Sequence, residues 1–154
     1  MKLNVVYLDN YCGGENNEKL KYAKPGDSGF DLRAATAEDE TGSWLIPANS
    51  TRVIPTGIKV AVPVGFEMQV RTRSGSPLKS DFFVANSPGT VDSGYRGQVG
   101  VIVYNFSNAP VTILPGNRIA QGVICPVECV TFNEVNELDE TERGDGAYNS
   151  TGIK

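Results

Sequence analysis

Apolar residues in this chain keep a two-residue beat and lose it every few positions to glycine or proline. The beat is plainest at residues 66–71, where Phe66, Met68 and Val70 alternate with Glu67, Gln69 and Arg71. Successive side chains of an extended chain point to opposite faces, so this segment is a strand with one buried face. Residues 2–8 alternate likewise, with Leu3, Val5 and Tyr7 on one side. Further short runs follow at 30–35, 44–46, 52–54, 58–62, 98–105, 111–114, 119–127 and 130–132. Seventeen Gly and nine Pro cut these runs apart and leave little helical periodicity. Many short strands at regular spacing predict an all-β protein, a jelly-roll-like sandwich or barrel. One short helix is expected after Arg73. Ser74 and Ser76 are N-cap types, Pro77 suits a first turn, and residues 78–81 continue it. Residues 135–138 allow a second helical turn.

With 154 residues, 40% of them hydrophobic, the chain can bury the core of one domain. A body over residues 1–136 and a flexible C-terminal arm over 137–154 is the expected division, because the tail is polar and rich in Gly and Ser. A net charge of −4 argues against a nucleic-acid backbone as partner, but a few local arginines suffice for a small phosphorylated ligand. The three cysteines do not suggest a disulfide framework. Cys125 and Cys129 read as two half-buried thiols on one face of a strand; with no histidine in the chain, a metal pair is disfavoured. No apolar run is long enough for a signal peptide or a membrane span, which makes a cytoplasmic protein the expectation, in host cytoplasm for a viral source.

The stretch Asn86-Ser-Pro-Gly-Thr-Val-Asp-Ser-Gly-Tyr-Arg-Gly97 carries the chemistry. Strand-like runs flank it, at 82–85 and 98–105, so it reads as the connection of a β-hairpin. It brings together an amide (Asn86), a carboxylate (Asp92), a phenol (Tyr95) and a guanidinium (Arg96), among glycines that let a ligand approach the backbone. Turns favour such residues in any case. What raises the stretch above an ordinary turn is that other unusual clusters complete one chemistry with it.

Gly89-Thr-Val-Asp-Ser-Gly-Tyr-Arg-Gly97 resembles the third signature motif of the trimeric dUTP pyrophosphatases. Ser28-Gly-Phe-Asp-Leu32, Arg73-Ser-Gly-Ser-Pro-Leu-Lys79, Pro115-Gly-Asn-Arg-Ile-Ala-Gln121 and Arg143-Gly-Asp-Gly-Ala-Tyr-Asn-Ser-Thr-Gly152 resemble the other four, in family order. The resemblance implies a jelly-roll-like fold and hydrolysis of dUTP to dUMP and pyrophosphate. That reaction limits uracil incorporation into DNA and supplies dUMP for dTMP synthesis. It implies Mg²⁺ carried in by the triphosphate, and a homotrimer with shared sites. Hydrolysis at phosphorus needs a base for water, cations for the phosphate oxygens and a pocket for the nucleobase. The chain has no P-loop and no histidine, so a carboxylate is the natural base.

By the resemblance, Asp92 activates the water that attacks the α-phosphorus, and Gln121 contacts phosphate or the reacting water. Asn86 reads the imide edge of uracil, with the backbone of Gly89, Thr90 and Val91 adding bonds to the base and leaving no room for a 5-methyl group. Tyr95 lies under the deoxyribose. Arg73, Ser74 and Gly75 cradle phosphate, and Asp31 acts near the metal through water, so no direct protein ligand is implied. Arg118 is more often structural there, in an ion pair. In the tail, Arg143 reaches phosphate, Tyr148 stacks on uracil, and Gly146, Ser150 and Thr151 close over the nucleotide. Ala147 and Asn149 stand where the family commonly has glycine, Ser28 where it has alanine and Asn117 where it has an acid.

Two other readings compete. A dCTP deaminase of the same fold carries a catalytic glutamate on the strand after the hairpin, but Val99-Gly-Val-Ile-Val-Tyr-Asn105 has no carboxylate. A non-enzymatic β-sandwich binding module explains the strands but not five charged clusters in family order.

Overall fold

A computed structural model describes residues 1–146. Among them are ten strands and one four-residue helix, in three antiparallel sheets. The first sheet runs in the order β1 (Asn4–Tyr7), β4 (Ser50–Ala61), β8 (Gln98–Asn105), β6 (Phe82–Val84). The second runs β2 (Gly29–Arg33), β10 (Arg118–Pro126), β5 (Phe66–Arg71), β7 (Gly89–Val91). A small third sheet pairs β3 (Trp44–Ile46) with β9 (Val111–Ile113). Inward residues of both large sheets form one jelly-roll-like core. Leu32, Ile54, Met68, Val101, Val103 and Ile119 are all fully buried in it. Each such side chain contributes about 1.5–3 kcal/mol by leaving water. No helix among the described residues is long and apolar enough to cross a membrane.

Alternation explains the faces. In β5, Met68 and Val70 go inward while Glu67, Gln69 and Arg71 stay on the outer face. In β8, Val99, Val101 and Val103 go inward, and so, in the same phase, does Asn105. That amide is 0% exposed and fully used. Its nitrogen donates to the carbonyls of Ile46, Pro47 and Ala109, and its oxygen accepts from the Ser107 amide and hydroxyl. Asn105 thus fastens the end of β8 to β3 and to the turn that leads to β9.

Several expectations need correction. The runs at 52–54 and 58–62 are one strand, β4, despite Pro55 and Gly57. Its pairing with β8 shifts register between Pro55 and Lys59, so the irregularity absorbs the proline's missing donor. Gly57 has φ +71°, and a Cβ there would collide with the Tyr11 backbone. The hairpin is real in that β6 pairs with β8, from Phe82↔Asn105 to Val84↔Val103. Its connection is not a simple loop, however: β7 leaves to pair with β5 in the other sheet, Met68 facing Val91 and Val70 facing Gly89.

Beyond Pro126 the expected strand at 130–132 and helical turn at 135–138 do not form. Phe132 there is 92% exposed, and among the described residues no strand pairs with this stretch. Cys129 lies past the end of β10 and is exposed, while Cys125, on the strand, is part-buried; all three cysteines are free. Among the described residues no group of acids and thiols could hold a metal ion.

Candidate active site

Sheet order does most of the assembly. In the row β2–β10–β5, Asp31 faces Gln121, which faces Arg71. Arg73 follows β5 by two residues, so its side chain reaches back over the row, and its Nε donates to Asp31 at 2.8 Å. Arg118, at the start of β10, brings a second guanidinium to the other carboxylate oxygen at 3.6 Å. Both groups of the closer pair are about 30% exposed, a partly solvated ion pair. Asp31 is therefore held between two cations.

Asp31, Arg73, Arg118 and Gln121 line a cleft of about 350 Å³ together with Ser74, Gly75, Ser28 and Gly29. The helix α1 (Ser76–Lys79) begins at its wall. Its N-cap is Gly75, not Ser74 or Ser76, and no side chain caps it. The Ser76 amide donates to the Arg73 carbonyl, those of Leu78 and Lys79 donate to Gly75, and Pro77 has no N–H. The helix start therefore offers an anion less than its sequence suggests. Donors that remain for the cleft include the Arg73 and Arg118 guanidiniums and the amides and hydroxyl of Ser74 and Gly75.

Gln121 is oriented from two sides. Its Nε2 donates to the Thr72 carbonyl at 3.1 Å, and its Oε1 lies over Gly29, where a Cβ would collide with it. Gly29→Ala is expected to push the carboxamide aside and to lower turnover roughly tenfold, the scale of one hydrogen bond made at the reacting centre. The far end of a flexible side chain can move, so the melting temperature should change little; a large fall in stability with unchanged turnover would contradict this role for Gly29.

The second group of residues sits on the segment between β6 and β8, and none of it lines this cleft. Asn86 is exposed, and Gly89 leaves room for its amide: a Cβ at 89 would stand 2.8 Å from Asn86 Nδ2. Gly89 and Val91 are buried in β7, and Thr90 between them is exposed. Asp92 is exposed on the turn after β7, accepts the Tyr95 amide at its own carbonyl, and enters no ion pair among the described residues. Tyr95 folds over Gly97 and donates to the Gln98 carbonyl at 2.9 Å. Arg96 holds the turn, donating to the carbonyls of Ser93 and Tyr95.

Arg143 turns back on its own loop, its Nε 3.0 Å from the Gly146 carbonyl, and is likewise away from the cleft. Tyr148, Ser150 and Thr151 lie outside the described residues. Sequence reasoning missed Thr72, which touches Gln121, and the lining residues Ala23 and Asp27, which nothing in their local pattern marks.

Known proteins resemble this chain in sequence and in fold. The chain is 46% identical over 138 residues to the deoxyuridine 5'-triphosphate nucleotidohydrolase of Fusobacterium nucleatum, covering 90% of this chain and 92% of that one. The fold matches that of a Staphylococcus bacteriophage 80alpha dUTPase variant solved with dUpNHpp, with TM-score 0.81, 23% identity and 99% of each chain covered. It also matches a variant dUTPase from phage phi11 of S. aureus, described as revealing the coordination of a structural Mg(II) ion, with TM-score 0.72 and 23% identity over 89% of this chain and 98% of that one. A family model described as dUTPase matches residues 15–152, nearly the whole length, and the chain belongs to the dUTPase family.

Proposed function

We propose that this protein is a dUTP diphosphatase that hydrolyses dUTP to dUMP and pyrophosphate. The observation that carries the reading is the cleft, where Asp31, Arg73, Ser74, Gly75 and Gln121, from three distant parts of the sequence, meet around one space of about 350 Å³. Arg73 and the Ser74–Gly75 backbone hold the triphosphate. Asn86 and the backbone of Gly89, Thr90 and Val91 read uracil, and Tyr95 packs against the deoxyribose. Asp92 takes a proton from water; the water oxygen bonds to the α-phosphorus; the bond to the α–β bridging oxygen breaks, and pyrophosphate leaves with its electron pair. Gln121 orients phosphate or the water. Arg143, Gly146, Tyr148, Ser150 and Thr151 close over the bound nucleotide and exclude water.

The donor set fits a magnesium ion that arrives with substrate. Hard cations take oxygen ligands, and the cleft's one central carboxylate, Asp31, is already engaged by two guanidiniums. Asp31 would hold such an ion through water, and the ion would neutralise charge on the phosphates.

The base-reading segment and the phosphate cleft lie on opposite sides of β5 and share no lining residue. A homotrimer in which one copy supplies the segment and another the cleft accounts for that separation. Mixing Asp92→Asn with Arg73→Ala subunits should then restore activity, with intact pairs at about one quarter of sites after random exchange. No recovery, together with a monomer by light scattering, would remove the shared site.

The substrate claim is tested with dUTP, dTTP, dCTP and UTP, with and without Mg²⁺, following pyrophosphate and ammonia. Pyrophosphate from dUTP far above the others is expected. Ammonia from dCTP would mark a deaminase, and no product from any would mark a binding module.

A further inference from the structure

Thr72 stands between β5 and Arg73 and is engaged at three points. Its carbonyl accepts from Gln121 Nε2 at 3.1 Å, its amide donates to Ser87 Oγ at 3.0 Å, and its hydroxyl accepts from the Val84 amide at 3.0 Å. The first bond belongs to the phosphate cleft. The other two belong to the segment that carries Asn86. We infer that Thr72 is a positioning residue that locks the base-reading segment to the phosphate cleft of the same chain, an inference that rests on the dUTP reading above.

The ladder between β5 and β7 ends at Val70↔Gly89, so main-chain pairing cannot fix residues 84–87 against the cleft. These residues belong to the other side of the sandwich: β6 pairs with β8, and the Ala85 amide donates to the Ile102 carbonyl. Thr72 crosses between the sheets at this point. Asn86 lies in a turn closed by the Ser87 amide on the Val84 carbonyl, and Thr72 grips both ends of that turn. The Val84 amide is on a residue 1% exposed, so losing the hydroxyl leaves a donor with no water to replace it. On the other side, the bond to Thr72 fixes which end of the Gln121 carboxamide points over Gly29. If copies share sites, Asn86 and Gln121 of one chain serve neighbouring sites, and Thr72 joins them; the tie acts on both halves either way.

The test uses full-length Thr72→Val, Thr72→Ser and Ser87→Ala. In the nucleotide-free protein, hydrogen exchange at the Val84 amide and through 86–97 should speed up about tenfold in Thr72→Val, the scale of one lost hydrogen bond, and stay near wild type in Thr72→Ser. Inhibition by deoxyuridine, which probes the base side, and by pyrophosphate, which probes the phosphate side, should both weaken severalfold in Thr72→Val and Ser87→Ala. The KM for dUTP should rise more than kcat falls, and Thr72→Ser should rescue it. Thr72→Val protein with a lower melting temperature but unchanged exchange at 84–97 would overturn the inference. So would weakening on one side only. A wild-type chain that leaves dUTP intact would overturn the functional reading instead, while the exchange measurement on the free protein still decides the tie.

Discussion

Asp92→Asn protein is expected to fold, assemble and bind dUTP like the wild type, and to turn it over about two to four decades more slowly. The substitution keeps the size and the local hydrogen-bonding shape of the side chain, and it removes only the ability to accept a proton. Little in the fold depends on the carboxylate: Asp92 is exposed and contributes its main-chain carbonyl, not a salt bridge, to the turn. A carboxylate of the cleft, Asp31, is already committed to Arg73 and Arg118. Asp31→Asn should therefore raise KM through a loosened Arg73 more than it lowers kcat. Steady-state kinetics of the two variants separate these roles. Near-normal turnover in well-folded Asp92→Asn protein would remove Asp92 as the base.

A large loss of stability is expected from truncating the buried Asn105. Asn105→Ala takes the side-chain donor from the carbonyls of Ile46 and Pro47 and the acceptor from the amide of Ser107, while the Ala109 carbonyl keeps the Ser107 hydroxyl. Water can reach the rim of this site and offset part of the loss, so the expected cost is about 2–4 kcal/mol, read as an earlier urea midpoint at an unchanged slope. Asn105→Asp should cost nearly as much, because a carboxylate cannot donate to three carbonyls. A cost under about 0.5 kcal/mol for Asn105→Ala would show that the neighbouring strands hold without it.

Asn105 also shows what was legible in the sequence. The beat of β8 places positions 99, 101, 103 and 105 on one face, so the sequence marks a single amide on a buried row. What it bonds to, residues 46, 47 and 109, follows only from tertiary structure. β5 was readable because six residues of alternation suffice to set a phase. β7 was not: three residues among turn formers carry no period, and their partner β5 lies about twenty positions upstream. Pro55 and Gly57 looked like a break in β4 because local rules cannot see a register shift that accommodates them. In the site, the charged motif residues were legible by family resemblance. Thr72 was not, because two of its three bonds are made by the main chain, which has no residue signature.

In the proposed reaction water attacks the α-phosphorus of dUTP. Hydrolysis in oxygen-18-labelled water with Mg²⁺, run for a single turnover and followed by mass spectrometry of the products, tests it directly. One heavy oxygen is expected in dUMP and none in pyrophosphate. Label in pyrophosphate, or products other than dUMP and pyrophosphate, would contradict it.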